Sequence, residues 1–193
     1  MTAFDLVFTL FGLVLGLAVT EVLSGFARVL KMRRKAHIGW LTPLLGIFVL
    51  LDLTTFWLTA WHFRGLVPAN RLMLLVVLVF VGGYYLVATL IFPDDPEEWP
   101  DFDLYYDQHN RAVLGFILAT QLALIGLAIG VVVAGIKLAA GPADQGSILV
   151  TLAGLLPLPL MVALFLFKSR RVNVILLATL IGLWVLGAVA SVL

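Results

Sequence analysis

The sequence has no cysteine and few charged residues. Among its 193 residues there is no Cys, and only 12% are Asp, Glu, Lys or Arg. The absence of cysteine excludes disulfides, thiolate zinc sites and cysteine nucleophiles. Soluble domains contain about 25% charged residues, so the scarcity of charge excludes an ordinary water-soluble globular domain. The net charge of +1 gives no electrostatic reason to expect nucleic acid as a partner.

Familiar catalytic and metal-binding motifs are missing as well. The sequence contains no G-x-S-x-G elbow, no H-E-x-x-H motif and no phosphate-binding loop. The three histidines, His37, His62 and His109, lie in separate segments and do not form a zinc, di-iron or bis-histidine haem pattern. We therefore expect a protein that is not an enzyme and that uses neither a cofactor nor a metal.

Apolar residues are abundant and occur in long runs. They make up 63% of the chain, and the mean hydropathy is +1.14. A helix needs about 20 mainly apolar residues to cross a bilayer, and these runs lack the alternation of barrel strands. The sequence predicts an all-α polytopic membrane protein, a single domain over 1–193 with six transmembrane helices and short loops. The predicted spans are 4–30, 38–63, 70–92, 111–139, 146–167 and 172–193.

The distribution of Lys and Arg predicts the orientation, because basic residues concentrate on the cytoplasmic side of membrane proteins. Nine basic residues lie beside the first, third and fifth connections: Arg28, Lys31, Arg33, Arg34, Lys35, Arg111, Lys168, Arg170 and Arg171. Three lie on the opposite side: Arg64, Arg71 and Lys137. We therefore expect these three connections in the cytoplasm and both termini outside it.

Polar side chains inside the predicted spans form a candidate pathway. Glu21 and Asp52 are acids at depth, where a charge costs roughly 2.5–3.5 kcal/mol, so both are expected to face the bundle interior. Depth can be counted in residues from the predicted cytoplasmic end of each span. The count places Glu21 at about the same depth as Gln121, Tyr84 and Tyr85, and Asp52 about 7 Å nearer the outside. We call the whole set the polar track; it consists of Glu21, Ser24, Arg28, Asp52, Thr55, Thr59, Tyr84, Tyr85 and Gln121.

Two interpretations of the polar track stay open. It is either a proton, ion or small-solute pathway, or a set of hydrogen bonds that fixes the helix packing. The pathway requires both acids to face a hydrated interior. Arg28, two helical turns after Glu21, can extend toward that acid. Small residues at four-residue spacing predict that the first helix is central or forms a dimer seam; they are Gly12, Gly16, Thr20 and Ser24.

Pro157 and Pro159 lie near the middle of the fifth predicted span, where each removes a backbone donor. A kinked helix supported by its neighbours is favoured over a broken helix that lines a cavity. The fourth, fifth and sixth spans begin at similar distances after the first, second and third. An internal repeat of three spans is therefore a further hypothesis, and it would be inverted in the membrane because each half has an odd number of spans.

The third connection, residues 92–110, is acidic and aromatic. Its aromatic residues at helical spacing are Trp99, Phe102, Tyr105 and Tyr106. This spacing predicts a short helix on the membrane surface with its apolar face down. Its acids are expected to meet the basic first and fifth loops. A divalent-cation site at Asp101, Asp103 and Asp107 is disfavoured, because these acids do not follow the EF-hand pattern.

Two stretches resemble a group of small uncharacterised bacterial integral membrane proteins with six helices. The first is residues 12–28, GLVLGLAVTEVLSGFAR, and the second runs from Phe92-Pro93-Asp94 to Tyr105-Tyr106-Asp107-Gln108-His109-Asn110-Arg111. The resemblance covers about the first two-thirds of the chain. The resemblance implies the fold and a multi-pass location in the bacterial cytoplasmic (inner) membrane, and it implies no activity. In similar sequences, Gln often stands at the position of Glu21.

Two functional hypotheses follow. The first is a small transport or ion- or proton-conducting protein that uses the buried carboxylates. The alternative is a non-catalytic accessory or scaffolding membrane protein, either an oligomer or a subunit of a larger membrane complex. In both, the partners are the lipid bilayer and another membrane protein or a second copy of the chain, and no nucleic acid is expected.

Overall fold

The chain is all-α over the described residues. The computed structural model describes residues 3–32, 38–62, 70–95, 98–99, 101–133 and 157–190. These ranges contain six helices: α1 (Ala3–Met32), α2 (Leu41–His62), α3 (Arg71–Thr89), α4 (Phe102–Val133), α5 (Pro157–Leu166) and α6 (Arg170–Ala190). The predicted all-α class is confirmed for this part of the chain.

Four of the described helices are long and apolar enough to cross a membrane. Their apolar segments are Phe8–Met32, Leu41–Trp61, Arg71–Thr89 and Arg170–Val189. Large apolar side chains cover the outward faces of α1, α3 and α6; Leu72, for example, is 70% exposed. Water disfavours a continuous surface of this kind, whereas lipid tails are as apolar as leucine. These four helices could therefore span a membrane.

α2 occupies the centre of the bundle. It contacts α1, α3, α4 and α6. Half of its most apolar stretch is buried, compared with 28%, 22% and 17% for α1, α3 and α6. The first helix is not central within the bundle, since it packs mainly against α3 and to a lesser extent against α2. A dimer seam along its small residues stays a prediction. Gly12 packs against Trp57 of α2, whereas nothing lies within 4 Å of a side chain at Gly16, and Thr20 is exposed.

α1 packs extensively against α3 and the turn that follows it. A Cβ at Gly25 would overlap the Phe92 ring, so this approach requires glycine. Phe92 is buried, and its ring meets Phe26 of α1 edge-on at 4.9 Å between centroids. Close packing around a glycine therefore attaches α1 to the rest of the bundle.

α4 begins at Phe102, nine residues before the predicted start at 111. Asp101 caps this helix, since its Oδ1 accepts the Asp103 N–H at 3.0 Å. The predicted surface helix is wrong, because Phe102, Tyr105 and Tyr106 are buried within the protein. Their helical spacing belongs to the first turns of a longer helix. The charged residues around them lower the local hydropathy, so hydropathy alone does not reveal that the helix begins here.

Pro157 and Pro159 are the first and third described residues of α5. Residues 146–156 of the fifth predicted span lie outside the described residues, so the kink and the break stay predictions. Among the first three helices, α1 contacts α3 extensively. Among the last three, α5 contacts both α4 and α6. This difference gives no support to an inverted repeat.

Candidate functional site

Asp52, in the middle of α2, is completely buried. Its Oδ2 accepts a hydrogen bond from the Tyr84 hydroxyl of α3 at 2.6 Å. Its Oδ1 accepts a hydrogen bond from Nε2 of Gln121, on α4, at 2.8 Å. Each carboxylate oxygen therefore has one donor, and the two donors belong to different helices. We call Asp52, Tyr84 and Gln121 the polar junction, because they link α2, α3 and α4.

Aromatic rings enclose the polar junction. The Phe56 ring lies 4.9 Å from the Tyr84 ring, and Phe116 meets Tyr84 edge-on at 5.4 Å. A Cβ at Gly83 would overlap Phe116, so this glycine allows the ring to cover the tyrosine. In such an apolar setting hydrogen bonds are strong, and a donor or acceptor left unpaired is costly.

Glu21 finds its partner on its own helix. Arg28 Nη2 lies 3.2 Å from Glu21 Oε1, and the Arg28 and Glu21 side chains are 32% and 24% exposed. Seven residues separate the two, almost two full turns of the helix, so the side chains extend toward each other along α1. The predicted approach of Arg28 is confirmed. Its Nε is buried and has no hydrogen-bond partner among the described residues.

The structure divides the polar track into separate parts. Gln121 and a tyrosine were expected beside Glu21, and this placement is wrong, because both bind Asp52. Depth along α4 was counted from residue 111, whereas the helix begins at Phe102. Gln121 therefore lies farther from the start of α4 than the count indicated. No hydrogen bond between described residues joins Glu21 to the polar junction.

The other members of the polar track do not reach either acid. Thr55 donates its hydroxyl to the Leu51 carbonyl of its own helix at 3.1 Å. Ser24 and Thr59 are half-buried. Tyr85 is 37% exposed, whereas Tyr84 is completely buried. The track is therefore one three-helix junction, one intrahelical ion pair and isolated hydroxyl groups.

The acids around the start of α4 meet basic and backbone groups of other helices. Arg170 Nε and Nη2 lie 2.8 and 2.7 Å from Asp107 Oδ2, and Arg170 Nη1 lies 3.3 Å from Asp101 Oδ2. The expected contact with the basic fifth loop is thus confirmed at Arg170. Asp103 Oδ1 accepts the Leu41 N–H at 3.2 Å, placing a negative charge at the positive end of α2. Residues 33–37 of the first loop lie outside the described residues.

A second buried polar cluster was not predicted. Tyr106 and Asn110 of α4 and Asn173 of α6 are all buried. Burial raises the pKa of the Tyr106 phenol, while the neighbouring Asn110 and Asn173 side chains lower it. Among the described residues, Tyr106 Oη and Asn173 Oδ1 make no hydrogen bond of good geometry, although the two asparagines lie beside the phenol. An asparagine next to the long apolar run of α6 was the signal that could have revealed this cluster.

Within the described ranges, no three His, Cys, Asp or Glu side chains converge as metal ligands do. No protein-family model matches the chain, and no curated protein or solved structure is significantly similar to it. The function must therefore be argued from the geometry of the chain itself.

Proposed function

We propose that this protein is a bacterial inner-membrane protein, with all six predicted spans, that acts as a non-catalytic accessory or scaffolding protein. The observation that carries the proposal is the polar junction. A conducting carboxylate must exchange a proton or an ion with water. Both oxygens of Asp52 instead accept hydrogen bonds from the protein, in a buried and aromatic-lined position.

The surface grooves support the same interpretation. One groove lies between α4 and α5 and includes Asn110 and Leu164 in its wall. Another lies over α3 and α4 and includes Gly82 and Tyr85. Neither groove is lined by Asp52 or Glu21. The acids therefore serve the packing of the helices in this proposal, and the apolar exterior serves contact with lipid, a second copy or a membrane partner.

Proton flux tests the proposal. The protein is reconstituted in liposomes that contain a pH dye, beside empty vesicles, Asp52→Asn and Glu21→Gln. We expect the wild type and both variants to leak protons no faster than empty vesicles. A faster flux in the wild type that either substitution abolishes would overturn the accessory role. Native mass spectrometry of the extracted protein should in turn reveal a stoichiometric oligomer or partner.

The orientation is tested by labelling, because the natural sequence has no cysteine. We expect Thr2→Cys to react with a membrane-impermeant maleimide in intact spheroplasts. Glu98→Cys, on the third connection, is expected to react only after the membrane is made permeable, since the basic residues place that connection in the cytoplasm. The reverse pattern would show that the termini lie inside.

Proton or ion conduction is the second candidate, and one observation favours it. Glu21 and Arg28 are partly exposed within an apolar helix, and ionisable groups inside membranes are commonly functional. In the liposome assay this candidate predicts a flux that Glu21→Gln removes and Asp52→Asn leaves unchanged. The two substitutions therefore distinguish a pathway at Glu21 from one at the polar junction.

A further inference from the structure

A polar groove of about 430 Å³ lies between the second and third turns of α4 and the end of α5. It is separate from the polar junction, and it lies beside the loops that we place in the cytoplasm. Its lining combines polar, positively charged and apolar side chains. The residues that carry the argument are Gln108, Asn110 and Arg111 on the α4 side, and Leu164, Phe165 and Lys168 on the side of α5 and the segment after it.

The charge of this groove is positive. Arg111 and Lys168 are exposed and have no ion pair with any described residue. The acid in the wall, Asp107, pairs with Arg170, whose Nη2 lies 2.7 Å away and which also contacts Asp101; Arg111 and Lys168 still outweigh this one acid in the lining. The carbonyl end of α5 contributes a partial negative charge worth about 0.3–1 kcal/mol, which is less than two full positive charges contribute. An anion is therefore attracted to the groove.

The remaining polar groups suit phosphate oxygens. Asn110 is only 8% exposed, and it lines the groove together with the exposed amide of Gln108. Both amides supply N–H donors, and the Arg111 guanidinium can bind two phosphate oxygens at once. Basic pockets between membrane helices on the cytoplasmic side bind anionic lipid headgroups. Phe165 and the exposed Phe167 also line the groove, and apolar side chains of this kind can contact an acyl chain but contribute nothing to the binding of free phosphate.

We propose that this groove binds the phosphate-bearing headgroup of an anionic phospholipid in the cytoplasmic leaflet. The inference rests on the proposed orientation in the membrane. It does not depend on whether the protein is an accessory protein or a conductor.

The test measures lipid binding to the purified full-length protein in neutral detergent. Phosphatidylglycerol, phosphatidylcholine and inorganic phosphate are titrated separately, and binding is followed by native mass spectrometry and by the thermal unfolding midpoint. We expect phosphatidylglycerol to bind and to raise the midpoint. The double variant R111Q/K168Q should weaken its binding about 30-fold, roughly fivefold for each lost charge.

Two further variants make this result specific. R71Q/R171Q removes two exposed arginines that do not line the groove, and it should keep the wild-type affinity within about threefold. Gln108→Glu keeps both cations but places a negative charge in the wall, and it should weaken binding about fivefold or more. Because Gln108 is exposed, this variant remains informative if the double variant fails to fold.

Equal weakening in R111Q/K168Q and R71Q/R171Q would overturn the proposal, since binding would then follow net charge and not the groove. Inorganic phosphate binding as tightly as phosphatidylglycerol would also overturn it, because the ligand would then not be a lipid. Neither result affects the accessory role, which proton flux tests. Reversed cysteine labelling would overturn only the assignment to the cytoplasmic leaflet. The lipid titrations would still decide whether the groove binds an anionic phospholipid.

Discussion

Asp52 and Glu21 are both acids within apolar helices, and the protein satisfies them in opposite ways. Asp52 is completely buried and accepts hydrogen bonds from α3 and α4. Glu21 is 24% exposed, and its partner, Arg28, belongs to the same helix. One acid is therefore part of the tertiary structure, whereas the other is part of a single helix.

This difference predicts very different costs when each acid is removed. Hydrogen bonds between membrane helices average only about 0.6 kcal/mol, with a maximum near 1.7. Removal of a buried acceptor also leaves its donors unpaired, at about 1–3 kcal/mol for each donor. Pairs along one partly exposed helix contribute a few tenths of a kcal/mol. The same chemical group is thus expected to matter greatly at Asp52 and little at Glu21.

Asp52→Leu should give the largest effect. It keeps a similar volume but leaves the Tyr84 hydroxyl and the Gln121 amide without an acceptor, so we expect a loss of about 2–4 kcal/mol in the free energy of unfolding. The measurement is unfolding by sodium dodecyl sulfate in mixed micelles. The matched control is Thr54→Leu, because Thr54 is exposed on the same helix. Similar losses in both variants would mean that the polar junction adds nothing to stability.

Gly25→Ala sharpens the comparison, because it tests what attaches α1 to the bundle. Its new Cβ would overlap the buried Phe92 ring, and overpacking of this kind costs about 1–3 kcal/mol. Gly16→Ala is the control, because nothing lies within 4 Å of its Cβ position. That variant should be neutral or slightly stabilising, since alanine favours helix over glycine. An equally neutral Gly25→Ala would contradict the close approach of α1.

Tyr84→Phe removes one of the two donors to Asp52 and keeps the ring. We expect a loss of about 1 kcal/mol, the size of one hydrogen bond. The neighbouring Tyr85→Phe is the control, because Tyr85 is 37% exposed and it is Tyr84 that donates to Asp52; its expected change is close to zero. Unfolding in mixed micelles again provides the measurement. If both tyrosine variants lose the same amount, the Tyr84 hydroxyl has no special role.

Much of the fold could be predicted from the sequence, because long apolar runs determine where helices form. Depth in the membrane was harder to predict. The start of α4 carries Asp103 and Asp107 among buried aromatics, so hydropathy alone placed this helix nine residues too late. Its acids are satisfied by the Leu41 backbone and by Arg170, and such contacts join residues more than sixty positions apart.

The candidate site could be predicted only in part for the same reason. Asp52, Tyr84 and Gln121 were each identifiable as polar groups in apolar surroundings. Their pairing depends on how α2, α3 and α4 are aligned, and an error of a few residues in one helix assigned two donors to the wrong acid. The Glu21–Arg28 pair was predicted correctly, because both residues lie on one helix with known geometry.

Glu21→Gln should therefore give the smallest effect. The Gln side chain keeps an oxygen that can accept from Arg28, and the pair is partly exposed, so we expect a change below about 0.5 kcal/mol in the free energy of unfolding. The substitution also removes a charge from an apolar helix, which favours insertion and offsets the weaker contact. Arg28→Gln is the companion variant and should be similarly mild. A loss at Glu21 as large as that of Asp52→Leu would instead mean that Glu21 links helices, and the contrast between the two acids would disappear.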